Sequence, residues 1–124
     1  MAYEEVQQHH GRDNIAERLT VTRRVSGDPQ VIAVTTVNVN GVKYLISTRG
    51  ESQWVKNIRA NPNVTLTVEG KSTAYTATEV PVDQRTPIIA AFKPKFGKLV
   101  VGRYFAKLPD DADHPTLALT PISV

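Results

Sequence analysis

The sequence predicts a mainly β fold, an antiparallel β-barrel with small helices, and three observations favour it. Valine, isoleucine and threonine make up 36 of the 124 residues, against 7 leucines, and β-branched side chains suit pleated strands. Short apolar or alternating runs are separated by tight-turn signals such as Asn40–Gly41 and Glu69–Gly70. A chain of this length holds one domain, and closure into a barrel leaves no edge strand exposed. We therefore predict one barrel domain over residues 1–124, with residues 1–13 as an arm or a short helix.

Six strands are predicted from the apolar pattern. The hairpin at Asn40–Gly41 is the clearest, because both residues tolerate the positive φ angles of a type I′ turn. Around it, the pattern predicts strands over residues 15–25, 30–39, 42–48, 64–68, 73–80 and 116–122.

Three short helices are predicted between these strands. The first begins after Gly50, where Glu51 or Ser52 can cap it, and it ends before Pro62. Its apolar face consists of three residues at helical spacing, Trp54, Val55 and Ile58. The other two helices are predicted over residues 82–92 and 96–105.

The composition excludes several kinds of site. Cysteine is absent, which removes disulfides, thiolate zinc sites, iron–sulfur clusters and cysteine nucleophiles together. With 3 histidines, a multi-histidine metal centre is hard to build, and we interpret Asp110–His114 as a turn or a helix cap. The run Gly70–Ser72 lacks the earlier glycine of a phosphate loop, and no G-x-S-x-G elbow is present.

Charge and hydropathy limit the partners that the protein can have and indicate where it is located. No apolar run reaches ~18 residues and no secretory signal is present, so we predict a cytoplasmic protein without a membrane span. Fifteen basic and 12 acidic residues give a net charge of +3. A segment with no acidic residue, between Gln84 and Pro109, either attracts an anionic ligand or forms a solvated face. Its basic residues are Arg85, Lys93, Lys95, Lys98, Arg103 and Lys107. We predict no nucleic-acid partner, because no DNA- or RNA-binding motif is present.

The segment Thr22–Pro29 is the first candidate binding element. Arg23 and Arg24 stand beside a tight turn that contains Ser26 and Gly27. Guanidinium groups, a hydroxyl and turn amides are the groups that bind a phosphate or a carboxylate. The alternative is a charged strand end with no ligand.

The segment Ser47–Pro62 is the second candidate. A strand ends in small or hydroxyl-bearing residues and a glycine, and a helix follows. Because glycine has no side chain, a flat ring can approach the backbone there. The strand-end residues are Ser47, Thr48, Arg49 and Gly50. On the helix, Trp54 either anchors the helix to the barrel or contacts a ligand. Asn57, one turn later, either links helix to loop or contacts a ligand.

Together these two segments resemble the deazaflavin-dependent nitroreductase and quinone reductase family. The resemblance is carried by Gly50-x-x-x-Trp54-x-x-Asn57-Ile58-x-Ala60-Asn61-Pro62, preceded by Arg24-x-Ser26-Gly27-x-Pro29. It covers roughly residues 19–80, with a weaker echo over residues 104–115. The family has a split β-barrel of the FMN-binding, pyridoxamine-phosphate-oxidase-like type and uses coenzyme F420.

The resemblance implies roles for particular residues. The arginine-rich turn would hold the phosphate and acidic tail of F420, which assigns Arg24, Ser26 and Gly27 to the tail, with Arg23 as an added cation. Residues 47–50 would line the deazaflavin ring. The chain departs from the family pattern at three positions that make the tail site less basic, namely Val25, Asp28 and Gln30.

The implied function is transfer of a hydride from reduced F420 to a small electron-poor acceptor, a quinone, a nitro compound or an activated alkene. Such chemistry needs few catalytic side chains. Tyr104 is the candidate proton donor or substrate contact, and its alternative role is packing at the barrel mouth. FMN is the second cofactor candidate. A protein that binds another flavin or a tetrapyrrole, and a non-enzymatic carrier of an anionic amphipath, are the other open functions. A homodimer is also left open.

Overall fold

The computed structural model describes residues 17–95, 108 and 110–122. The N-terminal arm, the helix predicted over residues 96–105 and Tyr104 lie outside the described residues. Within these described residues there are seven strands: β1 (Glu17–Thr22), β2 (Pro29–Val34), β3 (Thr36–Val39), β4 (Val42–Ile46), β5 (Asn63–Val68), β6 (Lys71–Glu79) and β7 (Thr116–Pro121). Two α-helices accompany them, α1 (Gln53–Ala60) and α2 (Thr86–Phe92).

All seven strands form one curled antiparallel sheet in the order β2-β1-β5-β6-β7-β4-β3. The β3–β4 hairpin turns at Asn40 and Gly41 with φ angles of 52° and 82°, which confirms the predicted hairpin. The turn between β5 and β6 likewise uses positive φ angles at Glu69 and Gly70. The edge strands are β2 and β3, so the described sheet has two edges where a closed barrel was expected to have none.

The strand predicted over residues 30–39 is interrupted at Thr35, which is why seven strands are present and not six. The Thr36 amide donates to Glu17 Oε2 at 3.1 Å, and its hydroxyl donates to Glu17 Oε1 at 2.7 Å. Before this point the strand pairs with β1, and after it the strand pairs with β4. The carboxylate therefore anchors the chain at the point where it changes partner.

The core has two parts, one on each face of the sheet. The inner part is enclosed by the curl of the sheet and closed at one end by Ile58 of α1. Its buried members are Leu19, Val21, Val34, Leu45, Ile58, Val64, Leu66, Tyr75, Ala77, Leu117 and Leu119. The outer part lies where α2 covers β3 and β4, and it includes Phe92, which is fully buried.

The start of each described helix is explained by residues next to it in the sequence. Helix α1 begins after Ser52, which occupies the N-cap position but makes no side-chain cap bond. The helix predicted over residues 82–92 is divided into a 3₁₀ turn at Val82–Gln84 and helix α2. Pro87 explains the division, because proline lacks the amide that a continuous helix would need there. Neither described helix is of a length and hydropathy that would cross a membrane.

Candidate functional site

The Arg23–Asp28 turn joins β1 to β2 and is exposed throughout. The Arg23 amide donates to the Asp28 carbonyl and the Gly27 amide donates to the Arg23 carbonyl, each at 2.9 Å. Gly27 has a φ of 80°, in the region that favours glycine. The Ser26 hydroxyl accepts a bond from the Asp28 amide at 3.2 Å. Among the described residues, the amides of residues 25 and 26 have no acceptor, so the turn presents N–H groups to solvent.

Asn57 of α1 connects this turn to the helix, as one of its two predicted roles requires. Its Oδ1 accepts from the backbone amide of Arg24 at 3.1 Å and from Arg24 Nη1 at 2.8 Å. Its Nδ2 donates to Gln30 Oε1 at 2.8 Å. Arg24 Nη2 also donates to Gln53 Oε1 at 2.8 Å. Asn57 is only 4% exposed, so its amide is a buried link between α1 and the β1–β2 hairpin.

The strand end after β4 is built around Ser47, which is buried. Ser47 Oγ donates to the Gly50 carbonyl at 2.6 Å and lies 2.9 Å from Ser52 Oγ. The Ser52 hydroxyl is thus directed at this turn, which is why it leaves the helix amides uncapped. Ser52, the N-cap of α1, and Gln53, its first residue, therefore connect this strand end to the Arg23–Asp28 turn.

Gly50 is buried with a φ of 83°. A Cβ added there would lie 3.2 Å from Leu108 Cδ1 and 3.3 Å from the Asp113 carbonyl oxygen. The close approach that this glycine permits in the structure is therefore to residues 108–113. Thr48 is half-buried and Arg49 is exposed beside it.

His114 attaches the segment after residue 108 to the same strand end. It is completely buried, with Nδ1 3.0 Å from the Ser47 carbonyl oxygen and Nε2 2.6 Å from the Leu108 carbonyl oxygen. Asp111–Asp113 form a 3₁₀ turn, in agreement with the turn interpretation of this acidic run. Among the described residues, no group of three or more potential metal ligands is present.

An ionic network lies behind the Gly50 turn. Arg59 of α1 donates to both carboxylate oxygens of Glu51 and of Glu79. Arg85 donates to Glu79 Oε2 at 3.2 Å and to the Val80 and Ala112 carbonyls at 2.9 and 3.1 Å. The hydrogen bonds from Arg59 hold the pKa of Glu51 and of Glu79 below their ordinary values, and both carboxylates raise the pKa of Arg59.

The basic segment after Gln84 is partly structural. Arg85 is 5% exposed and bonded as above, and Lys95 Nζ donates to the Thr36 carbonyl at 3.1 Å. Arg85 and Lys95 therefore donate to the chain's own carbonyl and carboxylate groups. That the segment attracts an anionic ligand, or instead forms a solvated face, stays a prediction. Lys98, Arg103 and Lys107 lie outside the described residues.

Of the predicted site residues, Arg24 bonds Gln53 and Asn57 of α1, while Ser47 and Gly50 bond Ser52, the N-cap of α1. Trp54 is half-buried there and packs against the inner core, with Val55 and Ile58 as the buried anchors. Sequence reasoning missed His114, Arg59 and Glu79, all of which approach the Gly50 turn from elsewhere in the chain. A cavity of about 410 Å³ beside α2 is lined in part by Glu79 but by none of the predicted site residues.

Comparison with solved structures supports the fold. A protein of unknown function from Agrobacterium tumefaciens has a TM-score of 0.67 at 17% identity, with 88% of this chain covering 49% of that one. This chain therefore spans about half the length of that protein. The heme storage protein HutZ of Vibrio cholerae has a TM-score of 0.65 at 17% identity, covering 98% of this chain and 88% of that one. An F420 reductase has a TM-score of 0.62 at 22% identity, covering 88% and 87%.

These likenesses show the split β-barrel fold shared by flavin-binding and pyridoxamine-phosphate-oxidase-like proteins. No curated protein matches the sequence. The family model described as F420H(2)-dependent quinone reductase matches residues 2–95, a span that contains both candidate segments and most of the barrel. On this match, the chain belongs to the F420H(2)-dependent quinone reductase family.

Proposed function

We propose that this F420-dependent reductase passes the hydride to a quinone, with the tail of F420 at the Arg23–Gly27 turn and its ring at the Ser47–Gly50 strand end. The observation that carries the proposal is the shared start of α1. Gln53 is bonded to Arg24, and Ser52 is bonded to Ser47. Two consecutive residues therefore connect the Arg23–Gly27 turn, the proposed tail site, to the Ser47–Gly50 strand end, the proposed ring site.

The turn has the donor set that an anionic tail needs. The exposed Arg23 has no side-chain partner among the described residues. Arg24 is already oriented by Asn57 and Gln53, and three of its five N–H groups remain available. The amides of residues 25 and 26 add two uncharged donors. Charge-assisted bonds to a fixed guanidinium are stronger and more specific than bonds to a mobile one.

Reduced F420, when bound, supplies the hydride, so the protein is left with binding, orientation and exclusion of water. The buried Ser47 fixes the strand end through its bonds to Gly50 and Ser52. Trp54 follows Ser52 by two residues in the chain, is half-buried and packs against the inner core. Tyr104 stays the candidate proton donor of this proposal.

The acceptor is tested by mixing the protein with reduced F420 and one acceptor at a time. The panel contains a quinone, a nitroaromatic compound and an activated alkene, and the reappearance of oxidised F420 is followed by absorbance. We expect the highest kcat/KM for the quinone. A higher kcat/KM for either other acceptor contradicts the quinone assignment, and no oxidation with any of them contradicts the reductase activity.

A cytoplasmic location and a homodimer are also part of this proposal. The absence of a membrane-crossing helix among the described residues agrees with the first. Light scattering coupled to size-exclusion chromatography tests the second, and a mass near the 13.7 kDa of one chain would contradict it.

A further inference from the structure

The Gly50 turn is held from two sides. On one side, Glu51 follows Gly50 directly and accepts both of its bonds from Arg59 of α1. On the other side, Leu108 and the Asp113 carbonyl occupy the space that a side chain at Gly50 would need, 3.2 and 3.3 Å from where a Cβ would stand. The neighbouring Ala112 carbonyl accepts a bond from Arg85 at 3.1 Å. Arg59 therefore bonds one side of the turn, at Glu51, and Arg85 bonds the segment that packs on the other side, at Ala112.

Both arginines converge on one carboxylate oxygen. Arg59 Nη2 donates to Glu79 Oε2 at 2.8 Å, and Arg85 Nη2 donates to the same atom at 3.2 Å. Glu79 is the last residue of β6, whose neighbouring residues are fixed by pairing with β7. A strand end in the middle of the sheet is a rigid base from which to orient two long side chains.

We propose that Glu79 is a positioning residue for the reductase, which sets the Gly50 turn through Arg59 and Arg85 and thereby sets affinity for the cofactor ring. This inference rests on the proposed function, because it takes the Ser47–Gly50 strand end as the ring site. Neither Glu79 nor the two arginines belongs to the motif that identified the family. The effect of Glu79 passes to the turn through Arg59 and Arg85.

The network differs from an isolated surface ion pair. Arg85 is 5% exposed and the Glu79 side chain is 30% exposed. Solvent therefore screens the ion pair between Arg85 and Glu79 weakly. Each arginine also makes a second contact that orients its guanidinium plane, to Glu51 for Arg59 and to backbone carbonyls for Arg85. Removing the central carboxylate leaves two adjacent cations without their shared acceptor, which costs more than losing an exposed pair.

The test compares Glu79→Gln with the parent and with Glu69→Gln, which makes the same charge change in the exposed β5–β6 turn. Amide hydrogen exchange is measured at Gly50 and Ser52, whose amides bond within the turn. The Gly27 amide, in the other half of the site, is the internal reference. In Glu79→Gln we expect exchange at Gly50 and Ser52 to be about tenfold faster, as loss of a charged hydrogen bond implies. Gly27 should not change.

The same three proteins are titrated with F420 and assayed at saturating cofactor. Glu79→Gln should raise the dissociation constant about tenfold and leave kcat within about twofold of the parent, whereas Glu69→Gln should match the parent in both. A purely structural role would lower stability without this split between binding and turnover. Arg59→Lys provides a second route, because lysine cannot bond both carboxylates in the same way, and it should shift exchange in the same direction.

Unchanged exchange at Gly50 and Ser52 in a folded Glu79→Gln would overturn the inference, whatever happens to affinity. Faster exchange with unchanged affinity would also overturn it, because the turn would then not set cofactor binding. If the parent itself does not bind F420, the ring-site assignment fails. The exchange result then decides alone whether Glu79 holds the turn.

Discussion

Asn57 illustrates how much depends on one side chain in this molecule. Its amide group accepts two bonds from Arg24 and donates one to Gln30. The sequence left two roles open for this residue, a link between helix and loop or a contact with a ligand. The link follows because an asparagine one turn into a helix can reach a preceding loop. It did not predict Gln30 as a partner, since that contact depends on how the hairpin lies against α1. The glutamine that replaces the usual cation of the family thus has a structural role.

Arg24 is the residue at which binding and folding can be separated. We expect Arg24→Ala to raise the dissociation constant for F420 by about 10- to 100-fold, the equivalent of ~1.5–3 kcal/mol for a charge-assisted hydrogen bond. The variant should also lose about 1 kcal/mol of stability, because its side chain bonds Asn57 and Gln53. Fluorescence titration and a melting curve measure the two effects.

Arg18→Ala is the matched control, since Arg18 is exposed on β1 and lies outside the turn. It should bind F420 as the parent does. An Arg24→Ala protein that is folded and binds F420 with the parent's affinity would show that the tail lies elsewhere.

At the scale of elements, local signals predicted well and long-range pairing did not. The type I′ turn, the start of α1 after Gly50 and its end before Pro62 are confirmed, because each depends on residues adjacent in sequence. The interruption at Thr35 was not predictable from the apolar run around it. It depends on Glu17, which bonds Thr36 across a separation of 19 residues in the chain. The pattern of apolar residues contains no information about such a polar contact.

For helix α1 we predict how a substitution at Trp54 changes the stability of the protein. Val55 and Ile58 are its buried anchors, while Trp54 is half-buried against the inner core. We therefore expect Trp54→Ala to lose about 2 kcal/mol of stability, less than the ~3–5 kcal/mol of a fully enclosed aromatic residue. Trp54→Phe should keep most of the packing and retain both fold and cofactor.

Melting curves and F420 titrations on both variants measure these expectations. If Trp54→Ala melts like the parent but loses F420, the tryptophan acts as a ligand contact and its packing role in this account is wrong.

At the scale of the whole molecule, the strand end is completed by parts of the chain that lie far apart in sequence. His114 bonds at the Ser47 carbonyl, 67 residues away, and Arg85 reaches Ala112, 27 residues away. In the sequence, His114 was taken as part of a turn or helix cap over Asp110–His114, and Arg85 as one of several basic residues. Their roles depend on β6 and β7 lying side by side, which no local pattern specifies.

The ionic network predicts a pH dependence of stability. Glu51 and Glu79 have lowered pKa values in the folded protein, mainly through bonds from Arg59. A carboxylate with a lowered folded pKa stabilises the protein above its unfolded pKa, and this contribution is lost as the pH falls through the folded pKa. We expect the melting temperature to decline as the pH drops below about 4.5, the ordinary value for glutamate.

Glu79→Gln should melt at a lower temperature than the parent at pH 7, and the gap should narrow in acid. Melting curves between neutral pH and acid measure this. A constant gap across the range would show that the carboxylate charge does not stabilise the fold.

We infer that the Arg23–Gly27 turn and the Ser47–Gly50 strand end, connected through the start of α1, form a site for F420. A side-by-side fluorescence titration of the protein with oxidised F420 and with FMN tests this inference. We expect tighter binding of F420 than of FMN, with the difference reduced in Arg24→Ala. Equal or tighter binding of FMN by the parent would contradict it.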